Sequence, residues 1–189
     1  GFQPSGEYGI FTQERSLLLK NWIERPQQVT DKDARKRCWQ LRCTTNSDYD
    51  VERLRILLVT GSTTIFALTK YVAEAFGWRP RKKGYDPQPS KGVLPPGSHW
   101  TVMSSGAEMA GLIGSQKAVF KVAGKGAPFF NEKRVKVFHL LRNRGDLITF
   151  HCEDSDKIYG DRKLTVRLDG CTRNGWGNPH YTPRSLSHI

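Results

Sequence analysis

The strongest structural constraint in this chain is a pair of strand-like segments followed directly by a capped helix. Apolar and polar residues alternate over residues 37–44, which is the two-residue period of a half-buried strand, and Leu54, Ile56 and Leu58 start a second strand. Residues 61–64 then offer three hydroxyl side chains as helix N-caps. Apolar residues recur at helical spacing from Ile65 to Phe76, and Gly77 is suited to end the helix. This order predicts two strands followed by one amphipathic helix.

Further elements are predicted on both sides of this unit. A short helix is expected over residues 12–24, capped by Thr12 and stopped by Pro26. Residues 99–103 and 118–122 are shorter ordered segments, and residues 134–141 fit either a strand or a helix. Residues 147–152 and 163–168 are predicted to be paired strands, the second forming the half-buried edge of an antiparallel sheet.

The chain divides into three parts by composition. Residues 1–36 are predicted to be an N-terminal extension with a short helix, residues 37–169 the domain itself, and residues 170–189 a C-terminal tail without periodicity. A long exposed loop, rich in proline, glycine and basic residues, is expected at residues 79–97. We expect both extensions to become ordered against neighbouring molecules.

The net charge favours an anionic partner. Thirty Lys and Arg against eighteen Asp and Glu give a formal charge of +12, and most of the excess lies between residues 51 and 150. Clustered cations bind nucleic-acid phosphates through counterion release, although the charge could also serve solubility alone. An aromatic content of 11% excludes a disordered basic tail, and no apolar run is long enough to span a membrane.

Four fragments of the chain also resemble a known family in their order. They are Val59, Thr64-Ile65, Leu68, Val72 and Ala75-Phe76-Gly77-Trp78; then His99-Trp100-Thr101-Val102-Met103; then residues 131–141; then residues 145–158. On these residues the chain resembles a divergent member of the Ri-plasmid open-reading-frame-three-like family, over about residues 37–169. The resemblance implies an α+β fold: a compact single domain with a curled, mostly antiparallel sheet packed on one main helix, flanked by N- and C-terminal extensions.

The departures from that family fall on its polar positions. Thr69 stands where the family has a helix histidine, and the family's polar-aromatic loop keeps only Glu153 and Asp156. The loop at residues 79–97 is also longer than the family's. The resemblance therefore implies a shared scaffold on which this chain carries a different surface.

Three basic segments are the candidate RNA-binding residues, because arginine-rich clusters suit bidentate phosphate contacts. No helix-turn-helix, zinc-finger or RRM signature is present, which favours recognition of backbone and shape in structured RNA. Trp176 and Tyr181 are further aromatic residues that could stack on unpaired bases. The predicted RNA-binding residues are Arg35, Lys36, Arg37, Arg79, Arg81, Lys82, Lys83, Tyr85, Lys121, Lys125, Lys133, Arg134, Lys136, Arg142 and Arg144.

Catalysis has little support in the sequence. No nucleophile-elbow, P-loop or dinucleotide motif is present, and His99 and His139 are predicted to be lone structural histidines. Four residues in one segment form the only dense cluster of acids and histidine, namely His151, Glu153, Asp154 and Asp156. Cys38 and Cys43 are predicted to lie on opposite faces of a strand, which argues against a shared zinc ion, and buried reduced thiols are expected. We therefore expect no catalytic residues, no metal and no cofactor.

The sequence thus predicts a non-catalytic structural component or assembly factor of an RNA–protein particle. The specific expectation is a mitochondrial ribosome, in which the protein binds rRNA phosphates and neighbouring proteins, with no membrane and no small-molecule substrate. Mitochondrial localisation is expected from the basic charge, the reduced cysteines and a chain that starts at Gly1 rather than at Met. The alternatives are a DNA-associated accessory protein of a mobile element and a metal-dependent enzyme that uses residues 151–156.

Overall fold

The computed structural model describes residues 6–27, 29–46, 53–77, 94–152, 162–173 and 184–187. The strands are β1 (Arg37–Asn46), β2 (Leu54–Thr60), β3 (His99–Met103), β4 (Ala110–Gly114), β5 (Phe130–Asn131), β6 (Leu147–Cys152), β7 (Arg162–Arg173) and β8 (Arg184–Ser187). The helices are α1 (Gln13–Glu24), α2 (Asp31–Lys36), α3 (Ile65–Ala75), α4 (Gln116–Ala123) and α5 (Val137–Leu140). Single 3₁₀ turns form at Gly6–Tyr8 and Ser105–Ala107.

The described strands form one open sheet in the order β5-β4-β3-β6-β7-β1-β2-β8. All neighbouring pairs are antiparallel except β4 and β5, which run parallel. The predicted α+β class with a mostly antiparallel sheet packed with helices is therefore confirmed. None of the helices in the described part of the chain is both long and apolar enough to cross a membrane.

Helix α3 begins and ends where its sequence predicts. The Thr64 hydroxyl accepts a hydrogen bond from the Ala67 amide at 3.1 Å, and Gly77 has the positive φ of 67° that suits a glycine after a helix. The first two amides of the helix donate to carbonyls of a distant segment, Ile65 to Val135 and Phe66 to Glu132. The helix start is therefore fixed against residues 131–137.

Two tryptophans fix the core between the sheet and its helices. The Trp39 indole donates to the Leu141 carbonyl at 2.9 Å, and the Trp100 indole donates to the Thr69 hydroxyl at 2.8 Å. Thr69 in turn donates to the carbonyl of Ile65, one turn earlier in α3. Both indole N–H groups thus have the partners that burial requires.

The N-terminal segment from residue 6 packs on the sheet. Leu19 of α1 is fully buried in the main core. Tyr8 and Phe11 form a second buried cluster with Ala110, Leu112 and residues of α4. Burial of these apolar side chains stabilises the position of the segment.

The structure corrects or refines the predictions for four elements. Strand β7 is not an edge strand, because β6 and β1 pair with its two sides. The alternation of apolar and polar residues in β7 shows that one face of the strand is exposed. An interior strand of an open sheet has such a face as well, so the pattern does not identify an edge strand. Residues 134–141 form only the helical turn of α5, and residues 118–122 belong to α4. Strand β4 was not predicted because every one of its five residues is buried, so no alternation marks it.

Candidate functional site

Ten of the fifteen predicted RNA-binding residues lie in the described part of the chain. The other five are outside the described residues, namely Arg79, Arg81, Lys82, Lys83 and Tyr85. Glu153, Asp154 and Asp156 of the acidic cluster also lie outside, as do Trp176 and Tyr181.

An ion pair brings two of the predicted basic segments together. The Lys136 ammonium lies 3.3 Å from the carboxylate of Asp31, the first residue of α2. Helix α2 also carries Arg35 and Lys36, both exposed. Arg35 follows Asp31 by four residues, so it shares the face of α2 that Lys136 contacts. These two segments are about a hundred residues apart in sequence.

A second cluster lies next to Lys136, at the start of α3. The ammonium groups of Lys70 and Lys133 lie 4.4 Å and 5.0 Å from the ring centroid of Phe66, which is half-buried. Both distances are within the range of cation–π attraction. Thr64 and Lys136 form a β-bridge, which holds this segment against the helix start. We call Phe66, Lys70, Lys133 and Lys136 the Phe66 surface.

Sequence reasoning missed two members of this surface, Phe66 and Lys70. Their spacing of four residues on a helix was the available signal, since i and i+4 side chains share one face. Arg134 is exposed beside Lys133 in sequence. Glu132 is the neighbouring acid, and burial raises the pKa of its carboxyl while Lys133 acts to lower it.

Arg142 serves the fold rather than the surface. Its guanidinium donates to the carbonyls of Trp22 at 2.7 Å, Ile23 at 3.4 Å and His139 at 3.3 Å. It also lies 3.6 Å from the Trp22 ring centroid, and burial lowers its pKa. These carbonyls belong to the end of α1 and to α5, so Arg142 fixes the helix end and its donors are engaged. We therefore do not count it among the phosphate contacts.

The remaining predicted residues are spread over the domain. Arg37 is half-buried at the start of β1 and hydrogen-bonds the Cys171 side chain. Lys121 is exposed on α4, and Lys125 follows that helix. Arg144 is exposed in the turn before β6, where Asp146 accepts from the amides of Arg142 and Asn143. The structure does not bring these residues into the Phe66 surface.

The two histidines of β3 and β6 form a stacked pair, in which His99 is buried and His151 is half-buried. His99 and His151 stack with ring centroids 5.0 Å apart and planes 7° from parallel. His99 Nδ1 lies 2.7 Å from the Gly97 carbonyl and therefore carries the proton, so Nε2 accepts from the Tyr8 hydroxyl at 3.2 Å. His151 Nε2 is 2.9 Å from the Thr101 hydroxyl. Burial, then His99 and Lys163, lower the pKa of His151 to about 4.

The cysteines do not assemble a metal site within the described residues. Cys38, Cys43 and Cys152 are buried free thiols, whereas Cys171 is exposed, contrary to the expectation that all are buried. Burial raises the pKa of Cys38 to about 11, which keeps it protonated. No group of three or more His, Cys, Asp or Glu side chains in the described ranges is arranged to hold an ion.

A cleft of about 520 Å³ opens where β3 and β6 part. These strands pair only from His99 to Thr101 on β3. Beyond Thr101 the gap is lined by Leu19, Trp22 and Leu140, with Met103 and Leu147 at its rim. The lining is mostly apolar, which suits an apolar group rather than a charged substrate.

Comparisons with known proteins support the fold but assign no activity to it. No family model matches the chain, so the family resemblance stays a prediction, and no curated protein matches it either. Among solved structures it is similar to the crystal structure of a protein of unknown function, MM3350, from Methanosarcina mazei Go1. The two share 17% sequence identity with a TM-score of 0.52, over 80% of this chain and 68% of that one. At this identity the likeness shows a shared fold alone.

Proposed function

We propose that this protein is a non-catalytic RNA-binding component of an RNA–protein particle and that the Phe66 surface contacts the RNA. One observation carries the proposal: Lys70 and Lys133, from distant parts of the chain, both lie against the ring of Phe66. Two ammonium groups held this close together repel each other and gain from an anion placed between them.

The ring of Phe66 favours RNA over duplex DNA as the anion. An aromatic side chain flanked by cations can stack on an unpaired base while the cations hold the adjoining phosphates. Folded RNA presents unpaired bases in its loops and bulges, whereas duplex DNA keeps its bases stacked. The exposed Arg35 and Lys36 of α2 extend the same basic side beyond the Asp31–Lys136 pair.

The particle we propose is a mitochondrial ribosome or one of its assembly intermediates. The support is the net charge of +12 on a 189-residue chain together with the basic surface. The exposed Leu17 and Leu18 on α1 offer a place for a neighbouring protein.

Binding to an RNA hairpin with an unpaired loop tests the proposal. Fluorescence anisotropy would be measured at several salt concentrations for the wild type, for the double variant Lys70→Glu/Lys133→Glu, and for Phe66→Leu. The double variant is expected to bind at least about tenfold more weakly, with a salt slope smaller by about 0.7 for each lost phosphate contact. Phe66→Leu keeps the apolar volume but lacks the ring, so it should lose affinity for the hairpin loop and not for double-stranded RNA.

Lys20→Glu/Lys117→Glu is the matched control, because both lysines are exposed on other helices and the change in net charge is the same. It should reduce affinity only slightly. If the double variant and the control bind the hairpin alike, the Phe66 surface is not the contact. If the wild type prefers duplex DNA to the hairpin, the protein is DNA-associated and the proposal is wrong.

A further inference from the structure

The open face of the sheet carries a row of threonines that crosses four neighbouring strands. Thr101 of β3 lies opposite Thr149 of β6, Thr149 opposite Thr165 of β7, and Thr165 opposite Thr44 of β1. Directly paired residues share a face of the sheet with their Cβ atoms about 5 Å apart. All four threonines are half-buried. We call these residues the threonine row.

This face is the one that the main core leaves uncovered. The core residues of β6 and β7, such as Phe150 and Leu164, alternate with the threonine row and point to the other side. Helix α4 and the Tyr8–Phe11 segment pack on the open face at β4, where Ala110 and Leu112 are buried. On β1, β6 and β7 the threonine row is half-buried on this face, and Arg42, Lys163 and Arg167 beside it are exposed.

Two arginines lie directly opposite each other beside the threonine row. Arg42 of β1 pairs in register with Arg167 of β7, and both are exposed. Like charges directly opposite on neighbouring strands destabilise a sheet. Asp169 accepts from Arg42 Nε at 3.0 Å, which balances one of the two charges. An exposed Lys163 stands on the same face at the other side of the row, opposite His151.

Among the described residues no side-chain hydrogen bond is formed by Thr44, Thr149 or Thr165, whereas Thr101 contacts His151. A hydroxyl both donates and accepts, so this row matches the phosphate oxygens and 2′-hydroxyls of an RNA backbone. The residues of this strip from Thr101 to Arg42 offer no aromatic face for stacking except His151. Contact is therefore expected with the backbone and without sequence preference.

We propose that the open sheet face of β3, β6, β7 and β1 binds the sugar–phosphate backbone of RNA, with a phosphate held between Arg42 and Arg167. This inference rests on the proposed function and adds a second contact, on a different face, to the Phe66 surface. The arginine pair supplies positive charge for the phosphate. The hydroxyls of the threonine row can hydrogen-bond the 2′-hydroxyls of RNA, which a DNA backbone lacks.

Arg167→Glu tests the arginine pair. It replaces a like-charge pair with an opposite-charge pair, so the melting temperature should be at least that of the wild type. Affinity for the hairpin RNA should nevertheless fall at least about tenfold, with a salt slope smaller by about 0.7 or more. Lys20→Glu, an exposed change of equal charge on α1, should leave affinity within about twofold.

Thr149→Val/Thr165→Val tests the hydroxyls. Valine keeps the β-branched shape that suits a strand, so the fold is retained. The double variant should lose most of the preference for hairpin RNA over the DNA hairpin of the same sequence. An unchanged preference overturns the role given to the threonine row.

The outcomes separate this inference from the proposed function. If Arg167→Glu binds hairpin RNA as the wild type does while Lys70→Glu/Lys133→Glu does not, the sheet face is no contact and the proposed function stands. If the wild type fails to bind hairpin RNA, both are overturned. If Arg167→Glu abolishes capture of an acidic protein and leaves RNA affinity intact, the face binds protein and the inference is wrong.

Discussion

His99 and His151 lie stacked across neighbouring strands, 5.0 Å apart, with the ring of His99 fully buried. Each ring nitrogen that the structure pairs has a neutral partner: a carbonyl, a phenol or a threonine hydroxyl. Lys163 of β7 pairs with His151, and its ammonium group disfavours a positive charge on the His151 ring. The ring of His151 is therefore held neutral, because a proton added to it would face both a second imidazole and an ammonium group.

The first prediction concerns the pH dependence of stability. Burial lowers the pKa of His151 to about 4 in the folded protein, whereas an unfolded histidine has its ordinary value of 6.5, so the unfolded state takes up the proton first as the pH falls. Above pH 6.5 His151 does not lower the free energy of unfolding. As the pH falls from about 6.5 to 4, the free energy of unfolding decreases by up to about 3 kcal/mol. Urea unfolding at a series of pH values would measure the loss.

His151→Gln provides the control for that prediction. Glutamine can still hydrogen-bond Thr101 but does not titrate, so the loss of stability between pH 6.5 and 4 should become smaller. A slope identical to that of the wild type would show that other groups cause the acid sensitivity.

The second prediction concerns Gly61 and the Trp39 ring. A Cβ atom built on Gly61 would lie 2.4 Å from Trp39 Cζ3, closer than real contacts allow. The indole cannot move freely, because it donates to the Leu141 carbonyl. Gly61→Ala should therefore destabilise the protein by about 1–3 kcal/mol, the usual cost of overpacking. Thermal or urea unfolding is the measurement.

Gly170→Ala is the matched control, because a Cβ there meets nothing within 4 Å. Its stability should lie within about 0.5 kcal/mol of the wild type. Equal effects of the two substitutions would contradict the tight packing of Gly61 on Trp39.

The third prediction concerns the attachment of α1. Arg142→Lys keeps the positive charge but loses the planar group that reaches the Trp22 and Ile23 carbonyls and stacks on the indole. A loss of about 2 kcal/mol is expected, together with faster amide exchange over α1. Arg144→Lys, an exposed neighbour, should change neither quantity. Unchanged exchange in the Arg142 variant would mean that Leu19 alone holds the helix.

The sequence predicted the strands and helices that have one face in the core and one face in solvent. Alternation revealed β1, β6 and β7, the apolar residues Leu54, Ile56 and Leu58 indicated β2, and the helical spacing with its Thr64 cap revealed α3. Alternation cannot distinguish an edge strand from an interior strand with one open face, which is why β7 was misplaced. Strand β4 is buried on both faces and contains two glycines, so its sequence carries neither signal.

The candidate functional site is formed by contacts between residues that are far apart in the sequence, and local sequence patterns do not predict such contacts. Phe66 and Lys133 are far apart in sequence and meet because the amides at the start of α3 donate to the carbonyls of Glu132 and Val135. Tyr8 and His99 meet because the segment before α1 packs on β4. Charge clustering found Lys133 and Lys136 but could not show that Arg142 is engaged inside the fold.

Sedimentation of the tagged protein from a mitochondrial lysate tests the central claim most directly. Membership of an RNA–protein particle predicts that the protein migrates with ribosomal particles and moves to the light fractions after RNase treatment. The Lys70→Glu/Lys133→Glu variant should migrate with the light fractions without RNase, while Lys20→Glu/Lys117→Glu should behave like the wild type. Wild-type protein found in light fractions whether or not RNase is added would contradict the account.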